Sequence, residues 1–89
     1  MQISENYVIR KIGSNTTLIP LVRELGTEVQ LYTLNSTAST ILDLLQTGNT
    51  NTEILQTMKN LYPKTTEKLL KQDISEILND FEAIGLLKK

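Results

Sequence analysis

Histidine and cysteine are both absent from this chain of 89 residues, so the side chains that could do chemistry are carboxylates, lysines and hydroxyls. A catalytic site made from these would need carboxylates or lysines with strongly shifted pKa values in a deep pocket. No Ser or Thr stands in a nucleophile-elbow context, and the Asp and Glu residues are spread along the chain without a ligand cluster. We therefore expect a protein that is not an enzyme, with no metal site and no cofactor.

Main-chain hydrogen bonding is the chemistry that remains, and one segment is suited to it. Residues 28–34 read EVQLYTL, with side chains that alternate between two faces of a predicted strand. An exposed strand edge presents unpaired N–H and C=O groups to an extended peptide, while pockets for alternate side chains supply selectivity. The alternative is a strand that is already paired on both sides or is covered by a helix.

Two more strands are predicted ahead of this segment. The first is Tyr7–Ile12, which is rich in β-branched and aromatic residues and is followed by the turn residues Gly13, Ser14 and Asn15. Residues 16–22 also have strand character, but Pro20 cannot donate to a sheet ladder. We therefore expect this run at a sheet edge or with a bulge.

Three helices are predicted after the strands. The first starts in the Asn-Ser-Thr cluster at residues 35–37 and stops at Gly48, and the second starts at Thr50, which has capping-box spacing to Glu53. The third covers residues 66–84, with a threonine at 65 or 66 to cap it and Gly85 to close it. Its apolar positions recur at the period of one helix face: Leu70, Ile74, Ile77, Phe81 and Ile84.

The order and spacing of several residues across about two thirds of the chain form one larger pattern. It comprises Leu34-Asn35, Ala38-x-x-Ile41-Leu42-x-Leu44-Leu45, Gly48 then Thr50, Glu53-Ile54, Tyr62-Pro63, Asp73-Ile74 and Phe81-x-x-x-Gly85-Leu86-Leu87. This pattern resembles the PqqD-like family, also called RiPP recognition elements. Members of that family are chaperones that bind the leader segments of ribosomally made, post-translationally modified peptides.

The resemblance implies one α+β domain over residues 1–89, winged-helix-like, with three N-terminal antiparallel strands followed by three helices. It also implies a non-catalytic adaptor that captures a leader segment by β-strand addition to residues 28–34, against the helix at residues 66–84. The expected partners are a precursor peptide and a separate modifying enzyme, such as a radical SAM enzyme, a cyclase or a protease.

The flanks of the core stripe on the last helix are the candidate second wall of the peptide site. At about 100° per residue, two flanks are possible, one with Lys71 and Ser75 and one with Asp73 and Asp80, and the sequence does not choose between them. The resemblance suggests that lysines here pair with acidic leader residues, although a solvated face is the favoured explanation for any one lysine. The predicted peptide-binding residues are Val29, Gln30, Leu31, Tyr32, Thr33, Lys68, Lys71, Ser75 and Leu78.

A winged-helix DNA-binding regulator is the alternative function, and the charges disfavour it. The chain carries 9 basic and 10 acidic side chains, and residues 66–84 contain two lysines against five acids. We therefore expect no nucleic-acid partner. The N-terminus lacks a signal pattern and no apolar run approaches a membrane span, so we expect a cytoplasmic protein without membrane contact. An exposed strand edge can pair with a second copy, which predicts a monomer or a weak homodimer.

Overall fold

A computed structural model describes residues 2–13, 15–21 and 31–88, with eight elements. It has three antiparallel strands followed by three helices, which confirms the predicted α+β class, and two short strands join its ends. Of the predicted third strand, Tyr32–Leu34 is a strand, Leu31 lies just before it, and residues 28–30 lie outside the described residues. The elements are β1 (Gln2–Ile3), β2 (Tyr7–Ile12), β3 (Asn15–Pro20), β4 (Tyr32–Leu34), α1 (Ser36–Gln46), α2 (Asn51–Leu61), α3 (Glu67–Ala83) and β5 (Leu87–Lys88).

The main sheet has the strand order β2-β3-β4, so β3 lies at its centre. Pairing between β2 and β3 runs without a bulge from Tyr7 opposite Pro20 to Ile12 opposite Asn15. The prediction that residues 16–22 form an edge or a bulged strand is therefore wrong for the part that the structure describes. Val22 lies outside the described residues.

The position of Pro20 explains how a central strand accepts a proline. The N–H of Leu21 donates to the carbonyl of Asn6 at 2.8 Å, on the β2 side. Successive N–H groups of a strand point to opposite sides, so the donor that Pro20 lacks belongs to the side away from β2. Pro20 is also the last residue of β3 and lies beyond the three residues that pair with β4 in the described chain. The missing donor therefore interrupts neither described ladder.

Each helix begins at a cap that its local sequence predicts. The side chains of Asn35, Thr50 and Thr66 each accept from a backbone N–H three residues on, at 2.8, 3.2 and 3.3 Å. Glu53 completes the capping box by accepting from the Thr50 N–H at 2.8 Å. These bonds satisfy donors that have no partner inside the helix, so each helix start is marked by residues within three positions of it.

The core lies between one face of the sheet and the three helices. Leu70, Ile74 and Phe81 of α3 are buried, as the predicted stripe requires. They pack with side chains from every other major element. The fully buried members of this cluster are Leu18, Ile41, Leu42, Ile54 and Leu86, with Met58 1% exposed.

The stripe on α3 differs from the prediction at its centre. Leu78, expected beside the core, is buried, whereas Ile77 and Ile84 are only half-buried. The reason is that α3 packs against α2, and Leu78 lines the same depression between these helices as Leu55. Because α3 contacts α2 on the side that carries Leu78, the buried stripe includes Leu78, and Ile77 lies nearer to the side of α3 that faces away from α2.

The chain returns to its own beginning after α3. Gly85 has a φ of 79°, a left-handed conformation that favours glycine at a helix end. Leu86 and Leu87 then fold back onto the core, as predicted. The carbonyl of Leu86 accepts from the N–H of Ser4 at 2.6 Å, and β5 pairs with β1 in antiparallel fashion. This small second sheet holds the two ends of the described chain together.

Candidate functional site

One edge of the main sheet carries main-chain groups that point away from it. Within the described residues, β4 pairs only with β3. The bond from Leu21 to Asn6 sets the alternation along β3, and the register of Leu18 opposite Tyr32 carries it into β4. The N–H and C=O of Tyr32 therefore point toward β3, whereas those of Thr33 point to the side away from β3. Leu31 lies just before β4, and the same alternation directs its main-chain groups to that side. In the part of the chain that the structure describes, this side of β4 carries no paired strand.

A groove of about 380 Å³ separates this edge from the C-terminal half of α3. We call it the β4–α3 groove. Its walls are mostly apolar, with Phe81 buried at the base and Ile77 and Ile84 half-buried. Asp80 is the charged residue among those that line it. The lining residues are Leu31, Tyr32, Thr33, Leu34, Asn35 and Ala38 on one side and Ile77, Asp80, Phe81 and Ile84 on the other.

Tyr7 of β2 contacts both walls of the β4–α3 groove. Its hydroxyl donates to the carbonyl of Ile84 at 2.5 Å, and its ring centre lies 6.4 Å from that of Tyr32, with the planes tilted by 59°. Burial raises the pKa of the Tyr7 hydroxyl, and the neighbouring Tyr32 raises this pKa further. Tyr7 is therefore a neutral donor at physiological pH that links the two walls.

The structure brings only part of the predicted site together. Leu31, Tyr32 and Thr33 line the β4–α3 groove, and Val29 and Gln30 lie outside the described residues. The remaining residues are on other surfaces of α3. Lys71, Ser75 and Leu78 line a second depression, the α2–α3 groove, with Asn51, Thr52, Leu55, Ile74, Asn79 and Glu82. Lys68 is exposed and lines none of the described depressions.

The sequence of this chain matches the model of one known protein family. The family model for coenzyme PQQ synthesis protein D, PqqD, matches residues 21–87, which is most of the chain. The chain belongs to the PqqD family. The matched range contains β4 and all three helices, and hence both walls of the β4–α3 groove.

A solved structure has the same fold as this PqqD family member. It is described as TbiB1 in complex with the TbiA(beta) leader peptide, and the two chains are 25% identical with a TM-score of 0.84. The match covers 99% of this chain and 95% of the other. No curated protein sequence matches.

Sequence reasoning missed the α3 wall of the groove in this PqqD family member. It assigned Ile77, Phe81 and Ile84 to the core alone, and it treated Asp80 only as part of one of two equivalent flanks. A helix stripe shows which residues are apolar, but it does not show where a neighbouring strand stops covering them. The missing signal is the distance between β4 and α3, which only the folded chain supplies.

The described chain also lacks two other kinds of feature. No three Asp or Glu side chains in residues 2–13, 15–21 and 31–88 come together as a group that could hold a metal ion. In the same residues, no helix is long and apolar enough to cross a membrane.

Proposed function

We propose that this protein is a non-catalytic adaptor that binds the leader segment of a ribosomally made precursor peptide. The leader adds as a strand to the open edge of β4 and lies against α3 in the β4–α3 groove. The adaptor then presents the rest of the precursor to a separate modifying enzyme. A radical SAM enzyme, a cyclase and a protease are the candidate classes for that enzyme.

One observation carries this proposal: the outward N–H and C=O groups of Thr33 and Leu31 lie beside an apolar groove. Main-chain bonds at a strand edge give affinity that depends little on sequence, whereas side-chain pockets give selectivity. An added strand would place alternate side chains over Ile77, Phe81 and Ile84. Membership of the PqqD family and the likeness to a chain bound to a leader peptide support the same reading.

A non-catalytic adaptor can still raise the turnover of the enzyme that it serves. It holds the substrate near the enzyme and so raises the local substrate concentration, which makes modest affinity at each site sufficient. The peptide must leave after modification, so its binding has to be reversible. We place this activity in the cytoplasm, consistent with a chain that lacks cysteine.

An NMR titration tests the proposal. The isotope-labelled protein is titrated with synthetic leader segments of small peptides encoded beside its gene. We expect saturable shifts for the amides of Leu31 and Thr33 and for the groove side of α3 around Ile77 and Asp80. Lys71 and Asn51, in the α2–α3 groove, serve as internal controls and should shift little. If duplex DNA shifts the spectrum and no leader segment does, the proposal fails in favour of a regulator.

A further inference from the structure

In the described chain, helices cover one face of the main sheet, which we call the inner face. Leu18 of β3 is fully buried on that inner face, so its neighbour Ile19 points to the opposite one. On β2, Lys11 forms an ion pair with Asp43 of α1, which marks it as inner, and the residues on either side of it are exposed. We call the opposite face the outer sheet face. It carries Val8, Arg10, Ile12, Thr17, Ile19, Leu31 and Thr33.

An apolar row crosses the outer sheet face from strand to strand. Val8 lies opposite Ile19. The ladder between β3 and β4 ends at Leu18 opposite Tyr32, and its continuation by one residue puts Leu31, just before β4, opposite Ile19. Val8 is 38% exposed and Leu31 is 56% exposed. At about 4.8 Å between strands, the row spans about 10 Å. It ends at Leu31, which also lines the β4–α3 groove, so the row is continuous with the candidate peptide site.

The charge of the outer sheet face has one sign in the described chain. Arg10 lies opposite Thr17, and Thr17 lies opposite Thr33, which makes a polar row beside the apolar one. The described residues place no carboxylate within ion-pair distance of Arg10. A surface that complements this face is apolar and carries an Asp or Glu opposite Arg10.

The size of the outer sheet face argues against a stable dimer of this chain. In the described chain, three strands at about 4.8 Å spacing and six residues at about 3.3 Å give a projected area of about 300 Å². A stable interface covers about 800 Å² on each partner. We therefore expect this face alone to support only a transient contact with a partner protein.

We propose that the modifying enzyme docks on the outer sheet face, and that the bound leader forms part of the same docking surface. This inference rests on the proposed function. A strand added at β4 widens the sheet by one strand. Alternate side chains of the leader enter the β4–α3 groove, while the others stand beside Leu31 and Thr33 on the outer sheet face. An enzyme seated on the apolar row therefore contacts adaptor and leader together. It binds the loaded adaptor more tightly than the free one, and the coupling is reciprocal.

Binding of the purified modifying enzyme encoded beside the gene tests this, with and without a saturating leader segment. We expect Val8→Glu and Arg10→Glu each to weaken enzyme binding at least about tenfold, with leader affinity unchanged within about twofold. Saturating leader should tighten enzyme binding to the wild type severalfold and do so less for Val8→Glu. The matched control is Leu69→Glu, an exposed leucine of α3 at 51% that should bind both partners as the wild type does.

The outcomes separate the two proposals. If the leader binds and the folded Val8→Glu and Arg10→Glu variants keep full enzyme affinity, the docking proposal is overturned while the adaptor function stands. An enzyme that binds free and loaded adaptor equally, or not at all, also overturns it. If no leader binds the wild type, the adaptor function itself fails. A wild-type dimer that Val8→Glu dissociates would assign the face to a second copy instead.

Discussion

The hydroxyl of Tyr7 and the carbonyl of Ile84, 77 residues apart in the chain, are joined by a 2.5 Å hydrogen bond. Ile84 lines the β4–α3 groove, and Tyr32, whose ring contacts that of Tyr7, lines its other wall. The separation of the two walls is therefore set in part by a residue of β2 that does not line the groove.

Tyr7→Phe should lower stability and loosen the groove. The loss of one neutral hydrogen bond lowers the free energy of unfolding by about 0.5–1.5 kcal/mol, measured by urea denaturation. Leader binding should weaken as well, because α3 loses a tie to the sheet. Tyr62→Phe is the matched control, since the Tyr62 hydroxyl lies 3.4 Å from Thr37 Oγ1 and away from the β4–α3 groove. Equal leader affinities for the two variants would contradict the assigned role of Tyr7.

Stability should fall at alkaline pH through the same residue. The pKa of Tyr7 is raised by burial and by Tyr32, so the folded state holds the proton more tightly than the unfolded chain. The resulting stabilisation is fully present below the unfolded tyrosine pKa of about 10 and is lost as the pH rises through the higher folded pKa. Unfolding curves between pH 8 and 11 should show this loss in the wild type, and Tyr7→Phe should lack this component.

Leu31→Pro should abolish leader capture. It removes an outward N–H from the edge beside β4 and fixes φ, so we expect at least about tenfold weaker binding by calorimetry. Leu31→Ala is the control, because it keeps the N–H and removes only the side chain. Circular dichroism must show that both variants fold. A folded proline variant with wild-type affinity would falsify strand addition at this edge.

The two helical depressions can be told apart by charge. Asp80 lines the β4–α3 groove, whereas Lys71 lines the α2–α3 groove. For an acidic leader, Asp80→Lys should tighten binding about two- to fivefold at low salt, with the gain shrinking as salt is added. Lys71→Glu should leave affinity unchanged. Weaker binding by Lys71→Glu, with no effect at Asp80, would move the peptide to the α2–α3 groove.

Phe81→Ala should destabilise the whole domain. Phe81 is 2% exposed and belongs to the central core cluster, so the expected loss is about 3–5 kcal/mol of unfolding free energy. Leu69→Ala, at a residue 51% exposed, should change it by less than about 1 kcal/mol. Thermal melting of both variants measures the difference. Similar melting temperatures for the two variants would mean that Phe81, at the base of the β4–α3 groove, does not belong to the hydrophobic core.

The structure corrected the sequence-based predictions where residues distant in the chain meet. Pro20 suggested an edge strand, but its missing donor lies on the side of β3 away from β2, and the strand is central. Leu78 was expected beside the core and is buried against α2. The central place of β3 and the burial of Leu78 both depend on residues far away in the sequence. The local sequence pattern around Pro20 or Leu78 therefore could not predict either of them.

Local sequence alone determined the helix start at Thr50 and narrowed the other two to residues 35–37 and to Thr65 or Thr66, because a cap bond closes within three residues and needs no tertiary partner. It also determined that Phe81 is buried, because a sustained apolar stripe has to face the core. Only the tertiary structure decided that Asp80, rather than Lys71, borders the open edge of β4. The position of Asp80 depends on the orientation of α3 about its own axis, in which Leu78 is buried against α2. The packing of all three helices on the sheet determines this orientation.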